Sequence, residues 1–409
     1  MRAYIVRQAI LDTNQDTLGY EILYQGERVT DDEKKSDISA ANAIENFITQ
    51  FNSDEFLDGK MAFLTFTANL LLKRIPEIFS PQKLVIQIDD DTIIRPDALE
   101  VVHQFKEAGY SIAINRFQFV PRYFAFLDVV DIIKINFDYI DTSLENIVSL
   151  GRSFNKDIIA YNINTEDRYT FASNLGIKYM QGSYVSQKLP AKINKIDHLQ
   201  SNFFQLMVAI TKAEPVVDEI EQIISRDVSL TYSLLKIVNS AYFALRHRAT
   251  TVKQALVILG MGQLKQWIYL LSFRSEEGPT PDELIKTSFL RASFSSALQP
   301  HINNIGIDKN EAYLLGMFST LGSFMDISLE EALKEIFIKE EIKSALVDED
   351  GPCAPLYKLI LAYEGANWTE MKKLAEELGI PMNTVIQKYF ECVEEVNKIW
   401  KELNEMGLK

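Results

Sequence analysis

Through the first half of the chain the apolar positions alternate between two periods: short, continuously apolar runs, and longer stretches in which apolar residues recur at helical spacing. The short runs predict strands at Tyr4–Leu11, Leu18–Tyr24, Met61–Phe66, Lys83–Ile88, Tyr110–Ile114, Val130–Ile135, Asp157–Tyr161 and Ile177–Gln181. The longer stretches predict helices at Ser36–Phe51, Asp97–Ala108, Ser143–Asn155 and Glu166–Leu175, with Gly109 and Gly176 at helix ends. Alternation repeated about eight times predicts a mainly parallel sheet closed into a TIM-like β/α barrel, whose functional positions lie at the C-terminal ends of its strands. Those positions are Glu21, Gln87 to Asp91, Asn115 and Arg116, Lys134 and Asn136, Tyr161 to Asn164, and Gln181.

The pattern then changes for good. Pro190 and alternating lysines mark a short linker, and from His198 onward the spacing is helical. The expected organisation is a barrel over 1–190, a linker over 191–197 and an all-helical domain over 198–409. Within the helical part, Ser233, Leu234, Leu235, Ile237 and Val238 form an apolar run closed by the turn formers Asn239 and Ser240. Thr250 or Thr251 caps the next helix, Ala255, Leu256, Ile258 and Leu259 give it an apolar face, and Gly260 with Gly262 suits its exit. Further helices are predicted at Asp282–Leu298, Lys309–Phe318, Leu329–Phe337, Pro355–Tyr363, Thr369–Leu378 and Met382–Leu403. The last presents Val385, Tyr389, Val393, Val396, Ile399 and Trp400 on one face, which either docks on its own bundle or, if Trp400 is exposed, serves as a partner or dimer contact. Tyr242 and Phe243 suit a groove for a partner helix and core packing equally.

The words LLKIVNSAYF and TTVKQALVILG resemble the HDOD domain, an all-helical bacterial signalling module related to HD-type phosphohydrolases but without their metal-binding His and Asp. The resemblance maps its signature onto Asp227, Leu235, Asn239, Ser240, Ala255, Leu259 and Gly260, and places Ser319 and Thr320 where an HD enzyme carries His-Asp. The phrases TLGYEILYQG, LVIQIDDDT, GYSIAINRFQF, DIIKINFDYI, DIIAYNINTED and GIKYMQGSYV resemble, in order, the EAL domain, a phosphodiesterase barrel for cyclic di-GMP, over residues 1–190. Together they resemble a bacterial EAL-HDOD signalling protein.

Hydrolysis of a phosphodiester by such a barrel needs hard oxygen ligands to hold Mg²⁺ or Mn²⁺ and generate hydroxide. The resemblance implies that this site is degenerate. Glu21 matches the family's Glu, but the Arg that follows it is Gln25, the Asn ligand falls at Thr65 or Asn69, and the Glu of the LVIQI strand is Gln87. The paired Asp motif is Asn115 and Arg116, so a neutral amide and a fixed cation stand where carboxylates would hold metal. Lys134 matches the family's catalytic-site Lys, its following Asp is Asn136, Tyr161 and Asn164 replace two Glu residues, and Gln181 with Gly182 matches the late Gln-Gly. Two readings of the remaining charges stay open. Asp89, Asp90 and Asp91 either coordinate Mg²⁺ with Glu21 in a rearranged site or form a solvated helix start, and Lys134 pairs with Glu21 or with Asp90 in a leftover polar cavity.

Composition narrows the partners. A net charge of -15 over 409 residues argues against charge-driven binding to nucleic acid or an anionic membrane, and Arg246, Arg248, Lys253 and Lys265 read as solvated helix charges. No apolar run approaches the ~20 residues that cross a bilayer. The opening MRAYIVRQAI reads as a strand, and Cys353 and Cys392 form no close pair, so a reduced, cytoplasmic setting is expected. His103, His198, His247 and His301 show no metal-ligand spacing. The expected function is a non-catalytic signalling or scaffold protein acting through protein contacts, without metal or cofactor, and with a homodimer as one form. The alternatives are a metal-independent sensor of cyclic di-GMP or another nucleotide, with Gln181, Lys134 and Arg116 as ligand contacts, and, last, a residual phosphodiesterase.

Overall fold

A computed structural model describes residues 4–25, 44, 56–139, 143–187, 206, 209–210, 214–226, 228–239, 248–272, 282–303, 305–325, 328–334 and 338–405. The predicted helix Ser36–Phe51, the linker 191–197, Tyr242 and Phe243 lie outside these residues, apart from Ile44, which is helical and buried. The chain forms two compact units, the first comprising Met1–Lys188 with Leu361–Lys373, the second Leu189–Ile360 with Leu374–Lys409. The sequence reading gave all of 198–409 to the helical domain; Leu361–Lys373 instead belongs with the barrel.

The first unit is a closed barrel of eight strands in sequence order: β1 (Tyr4–Asp12), β2 (Thr17–Gln25), β3 (Met61–Thr65), β4 (Leu84–Ile88), β5 (Ser111–Ile114), β6 (Ile132–Asn136), β7 (Asp157–Tyr161) and β8 (Tyr179–Met180). All run parallel except β1, which pairs antiparallel with both β2 and β8. The reason is local. A tight turn follows β1, in which Asp12 Oδ1 accepts the Asn14 and Asp16 amides, and it is far too short for the crossover a parallel pair requires. Helices on the outside are α1 (Ala68–Leu72), α2 (Asp90–Ile93), α3 (Pro96–Glu107), α4 (Pro121–Phe124), α5 (Leu144–Ser153), α6 (Glu166–Asn174) and α7 (Ser183–Gln187). Thr165 caps α6, with Glu166 and Asp167 in its first turn, as the sequence reading placed them.

Period-two alternation sorts the barrel interior into layers. The lower layer is apolar: Ile10, Phe63, Val85, Ala113, Ile132 and Ile159 pack together, with Leu18, Met61 and Tyr179 against them. Gly19 is required there, because a Cβ would stand 2.6 Å from the Met61 carbonyl oxygen and 2.9 Å from the Phe63 ring. Two residues nearer the C-terminal rim, each strand contributes a polar or aromatic polar side chain: Gln8, Glu21, Thr65, Gln87, Asn115, Lys134, Tyr161 and Gln181.

The second unit is helical. It contains α8 (Val217–Ser225), α9 (Val228–Val238), α10 (Val252–Ser272), α11 (Asp282–Leu298), α12 (Lys309–Phe318), α13 (Leu321–Met325), α14 (Leu329–Lys334) and α15 (Glu340–Val347). The helices α16 (Ala354–Glu364), α17 (Trp368–Glu377) and α18 (Met382–Glu405) follow, the end of α16 and the start of α17 being the part that belongs to the first unit. Thr251 Oγ1 accepts the Gln254 amide at the start of α10, and Gly260, at φ 68°, breaks that helix where the sequence predicted its exit, after which it resumes through Gly262. α11 is buried along most of its length, and Gly316 of α12 lies so close that a Cβ would meet the Arg291 carbonyl oxygen at 2.1 Å. Val385, Tyr389, Val393, Val396 and Trp400 of α18 are buried, and Phe294 meets Tyr389 edge-on at 5.7 Å. Trp400 is 7% exposed, which withdraws the reading of that face as a partner surface. Among the described residues no helix is long and apolar enough to cross a membrane.

Candidate functional site

The polar layer at the barrel mouth is organised around one carboxylate. Glu21 is 4% exposed, and Lys134 reaches it from the far side of the barrel, donating to Oε1 at 2.5 Å. Gln87 donates to the same oxygen at 2.9 Å and Gln181 to Oε2 at 2.6 Å. The Lys134 ammonium also donates to Gln87 Oε1 at 2.8 Å and lies 5.2 Å from the centre of the Tyr161 ring. Gln87 Nε2 completes its bonding on Thr65 Oγ1 at 3.1 Å, and Gln181 Nε2 completes its own on Gln8 Oε1 at 3.1 Å.

The electrostatics follow from this packing. Burial alone would raise the Glu21 carboxyl, but the Lys134 charge and the donors Lys134, Gln87 and Gln181 outweigh it and hold the group below its ordinary value of 4.5. Burial lowers the Lys134 ammonium from its ordinary value, and Glu21 counters part of that shift. Burial pushes the Tyr161 phenol up to about 12 against the opposing pull of the Arg116 charge.

Lys134 forms the pair with Glu21; the alternative partner, Asp90, has its side chain outside the described residues. Arg116 was expected at the metal position. Arg116 is exposed and takes a left-handed backbone conformation at φ 54°, and the cation touching the carboxylate is Lys134. Thr65, not Asn69, faces the layer; Asn69 accepts from Arg95 at 2.7 Å outside it. The side chains of Gln25, Asp90 and Asp91 lie outside the described residues, and the backbone of Asp90 and Asp91 forms the start of α2.

Above β6 and β7, side-chain amides hold loops together. Asn136 Oδ1 accepts from Asn162 Nδ2 at 2.8 Å, Asn162 also donates to Asp138 at 2.7 Å, and Arg168 donates to Asp138 and to the Asn162 carbonyl at 2.7 and 2.8 Å. Asn164 Oδ1 accepts the Ser183 amide and hydroxyl at 3.0 and 3.1 Å, tying down the start of α7. Sequence reasoning missed Gln8, Asp138 and Arg168, and Asn162 was read only as one of the strand-end positions Tyr161 to Asn164; the inward register of Gln8, opposite Glu21, was the available signal.

In the helical unit, Asn239 clamps the loop before α10, donating to the Ala249 carbonyl at 2.8 Å and accepting its amide at 2.7 Å. Ala255 and Leu259 are core residues, Leu235 is half-buried, and Asp227 and Ser240 lie outside the described residues. At the two positions that the sequence reading matched to an HD enzyme's His-Asp, Thr320 donates to Ser288 at 2.9 Å and Ser319 accepts from Arg291 at 3.1 Å, all buried.

Comparison with known proteins decides the family. The EAL domain model matches residues 52–188 and the HDOD domain model residues 196–348. The chain is an EAL domain followed by an HDOD domain. It is similar over both domains to YuxH of Bacillus subtilis strain 168, at 27% identity over 96% of this chain and 98% of that protein. It is also similar to a protein named cyclic di-GMP phosphodiesterase CdgJ of Vibrio cholerae serotype O1, at 26% identity over 95% of this chain and 91% of that one. Among solved structures it resembles the FimX EAL domain of Pseudomonas aeruginosa bound to c-di-GMP, at 18% identity and a TM-score of 0.36 over 44% of this chain and 88% of that chain.

The metal chemistry of the EAL barrel can be tested against the donors present. Among the described residues no group of three or more His, Cys, Asp or Glu could hold a metal ion. Among the described residues of the layer, Glu21 is the one carboxylate, and its oxygens already accept from an ammonium and two amides. A divalent ion would have to displace Lys134 from a buried ion pair and take amides in place of anionic oxygens. These residues do not fit the metals.

Proposed function

We propose that this EAL-HDOD chain is a cyclic di-GMP signalling protein that does not hydrolyse the dinucleotide and acts through contacts with other proteins. The observation that supports this reading is the Lys134–Glu21 pair at 2.5 Å, which commits the one carboxylate among the layer's described residues to a protein cation. Without anionic ligands there is no ion to polarise a phosphodiester or to lower the pKa of attacking water. At 26% identity, the relative named a phosphodiesterase is distant enough for individual site residues to differ.

A second reading, metal-independent binding of the dinucleotide, has its own support. Among the described residues, Asn115 Oδ1 and Gln181 Oε1 are buried in the layer without a hydrogen-bond partner, and the neighbouring Arg116 is exposed. Buried acceptors left unpaired favour a ligand bringing N–H donors, and an exposed guanidinium suits its phosphates. Calorimetric titration of the full chain with cyclic di-GMP in EDTA separates the two. Heat of binding without product supports the sensor, and no heat with no product supports the adapter. Turnover that appears with Mn²⁺ and is lost on Glu21→Ala would overturn both.

A further inference from the structure

The turn between α16 and α17 lies outside both family matches, yet it is packed into the barrel unit. It is a stiff corner. The Gly365 amide bonds the Leu361 carbonyl at 2.9 Å, the Asn367 amide bonds the Ala362 carbonyl at 2.8 Å, and Ala366 takes the left-handed conformation at φ 53°. Its contacts converge on β1. The Tyr363 hydroxyl donates to the Ile5 carbonyl at 3.0 Å with its ring fully buried, Trp368 stacks on Tyr4 at 5.9 Å, and the Lys372 ammonium lies 5.2 Å from the same Tyr4 ring. The carbonyl of Glu364, at the last turn of α16, accepts from Gln8 Nε2 at 2.7 Å.

Topology places this corner at the mouth. Because β1 runs against β2, its first residue, Tyr4, pairs with Gln25 at the C-terminal end of β2, and Gln8 pairs with Glu21. Directly opposed residues share a face, so Gln8 points into the interior with Glu21. Beneath that layer the interior is filled by Ile10, Phe63, Val85, Ala113, Ile132 and Ile159. A main-chain carbonyl bonded to Gln8 therefore reaches it from the open, C-terminal end, where EAL-type barrels and β/α barrels in general do their chemistry.

We propose that the corner Leu361–Lys373 is a built-in lid on the barrel mouth: docked, it holds Gln8, and through Gln8 the Gln181 amide on Glu21, so that the polar layer opens only when the corner lets go. The proposal goes beyond the functional reading, since it holds whatever enters the mouth. Gln8 is the joint, with one end of its amide on the corner and the other on the layer.

The test uses the full chain with Gln181→Cys, which sets a thiol directly beneath the Gln8–Glu364 contact. The native Cys353 and Cys392 are buried, with thiols pushed up to about 11 and about 12, and supply a slow internal reference. Labelling by a small aromatic disulfide is followed at each cysteine by mass spectrometry, with and without Tyr363→Phe, which keeps the ring and removes its bond to Ile5. Loss of one buried hydrogen bond is expected to speed labelling at position 181 about tenfold, with the reference thiols and the amide exchange of β4 and β6 unchanged. Trp368→Leu, which removes the Tyr4 stack, is expected to act in the same direction. Labelling at 181 that is fast from the start and indifferent to both substitutions would overturn the lid. So would acceleration shared by β4, β6 and the reference thiols, which signifies unfolding of the barrel and not release of a corner.

Discussion

Lys134→Met removes the ammonium from Glu21 while keeping the length of the side chain. In the parent, Lys134 is wholly buried and Glu21 nearly so, and their contact is 2.5 Å. Taking one partner from such a pair leaves an uncompensated buried charge, a loss of about 3–5 kcal/mol at neutral pH. Gln87 and Gln181 still donate to Glu21, which sets the expectation at the lower end, about 3 kcal/mol. The pH dependence should also reverse. In the parent, Glu21 titrates below its ordinary value of 4.5, so its stabilising contribution is fully present above that value and lost as pH falls through the lowered one. In Lys134→Met the burial contribution, already the largest, is no longer opposed by the Lys134 charge, and the carboxyl moves above the ordinary value. Its effect on stability is then favourable at acid pH and is lost as pH rises through the raised value. Urea unfolding at pH 4, 5.5 and 7, following a barrel signal, measures both. A loss under about 1 kcal/mol at pH 7, or a pH profile of unchanged sign, would refute the description of Glu21 and Lys134 as a buried, mutually dependent pair. Glu21→Gln added to Lys134→Met should recover most of the loss, because no charge then remains to be buried.

Other outcomes follow from single contacts. Asn239→Ala removes both bonds to Ala249 and should cost the helical unit about 2 kcal/mol in thermal or urea unfolding, with the barrel signal unchanged. Gly316→Ala drives a Cβ into the Arg291 backbone and should destabilise the α11–α12 pair by about 3 kcal/mol, a larger effect than alanine at any exposed helical position. Cys353 and Cys392, with thiols pushed up to about 11 and about 12, should resist a thiol reagent at pH 8 in the native chain and react on denaturation.

How far the sequence carried depends on the range of the contacts. The strands and α11, α12 and α18 are written in local periodicity, so their bounds could be read to within a few residues. Gly260 was legible as a helix break because a left-handed residue is a local requirement. The Glu21–Lys134 pair was legible because barrel strand ends converge, whatever the sequence between them. The left-handed backbone of Arg116 was not legible, because nothing in the residue string announces that conformation for arginine. Asn162 was read only as one strand-end position among several, because its role lies in bonds to Asn136, at the end of the neighbouring strand, and to Asp138 in the loop after it. The corner at Leu361–Lys373 was out of reach altogether. Its bond from Gln8 to Glu364 spans 356 residues, and periodicity reports only that both ends are well-formed elements.

The central claim is that the buried Lys134–Glu21 pair leaves this barrel without a metal-dependent hydrolytic centre. Its most direct measurement is product analysis of cyclic di-GMP incubated with the purified chain in Mn²⁺, together with the metal content of the protein after removal of free ion. The account predicts intact dinucleotide and no stoichiometric manganese. Bound manganese with linear release of the opened dinucleotide, abolished by Glu21→Ala, would contradict it.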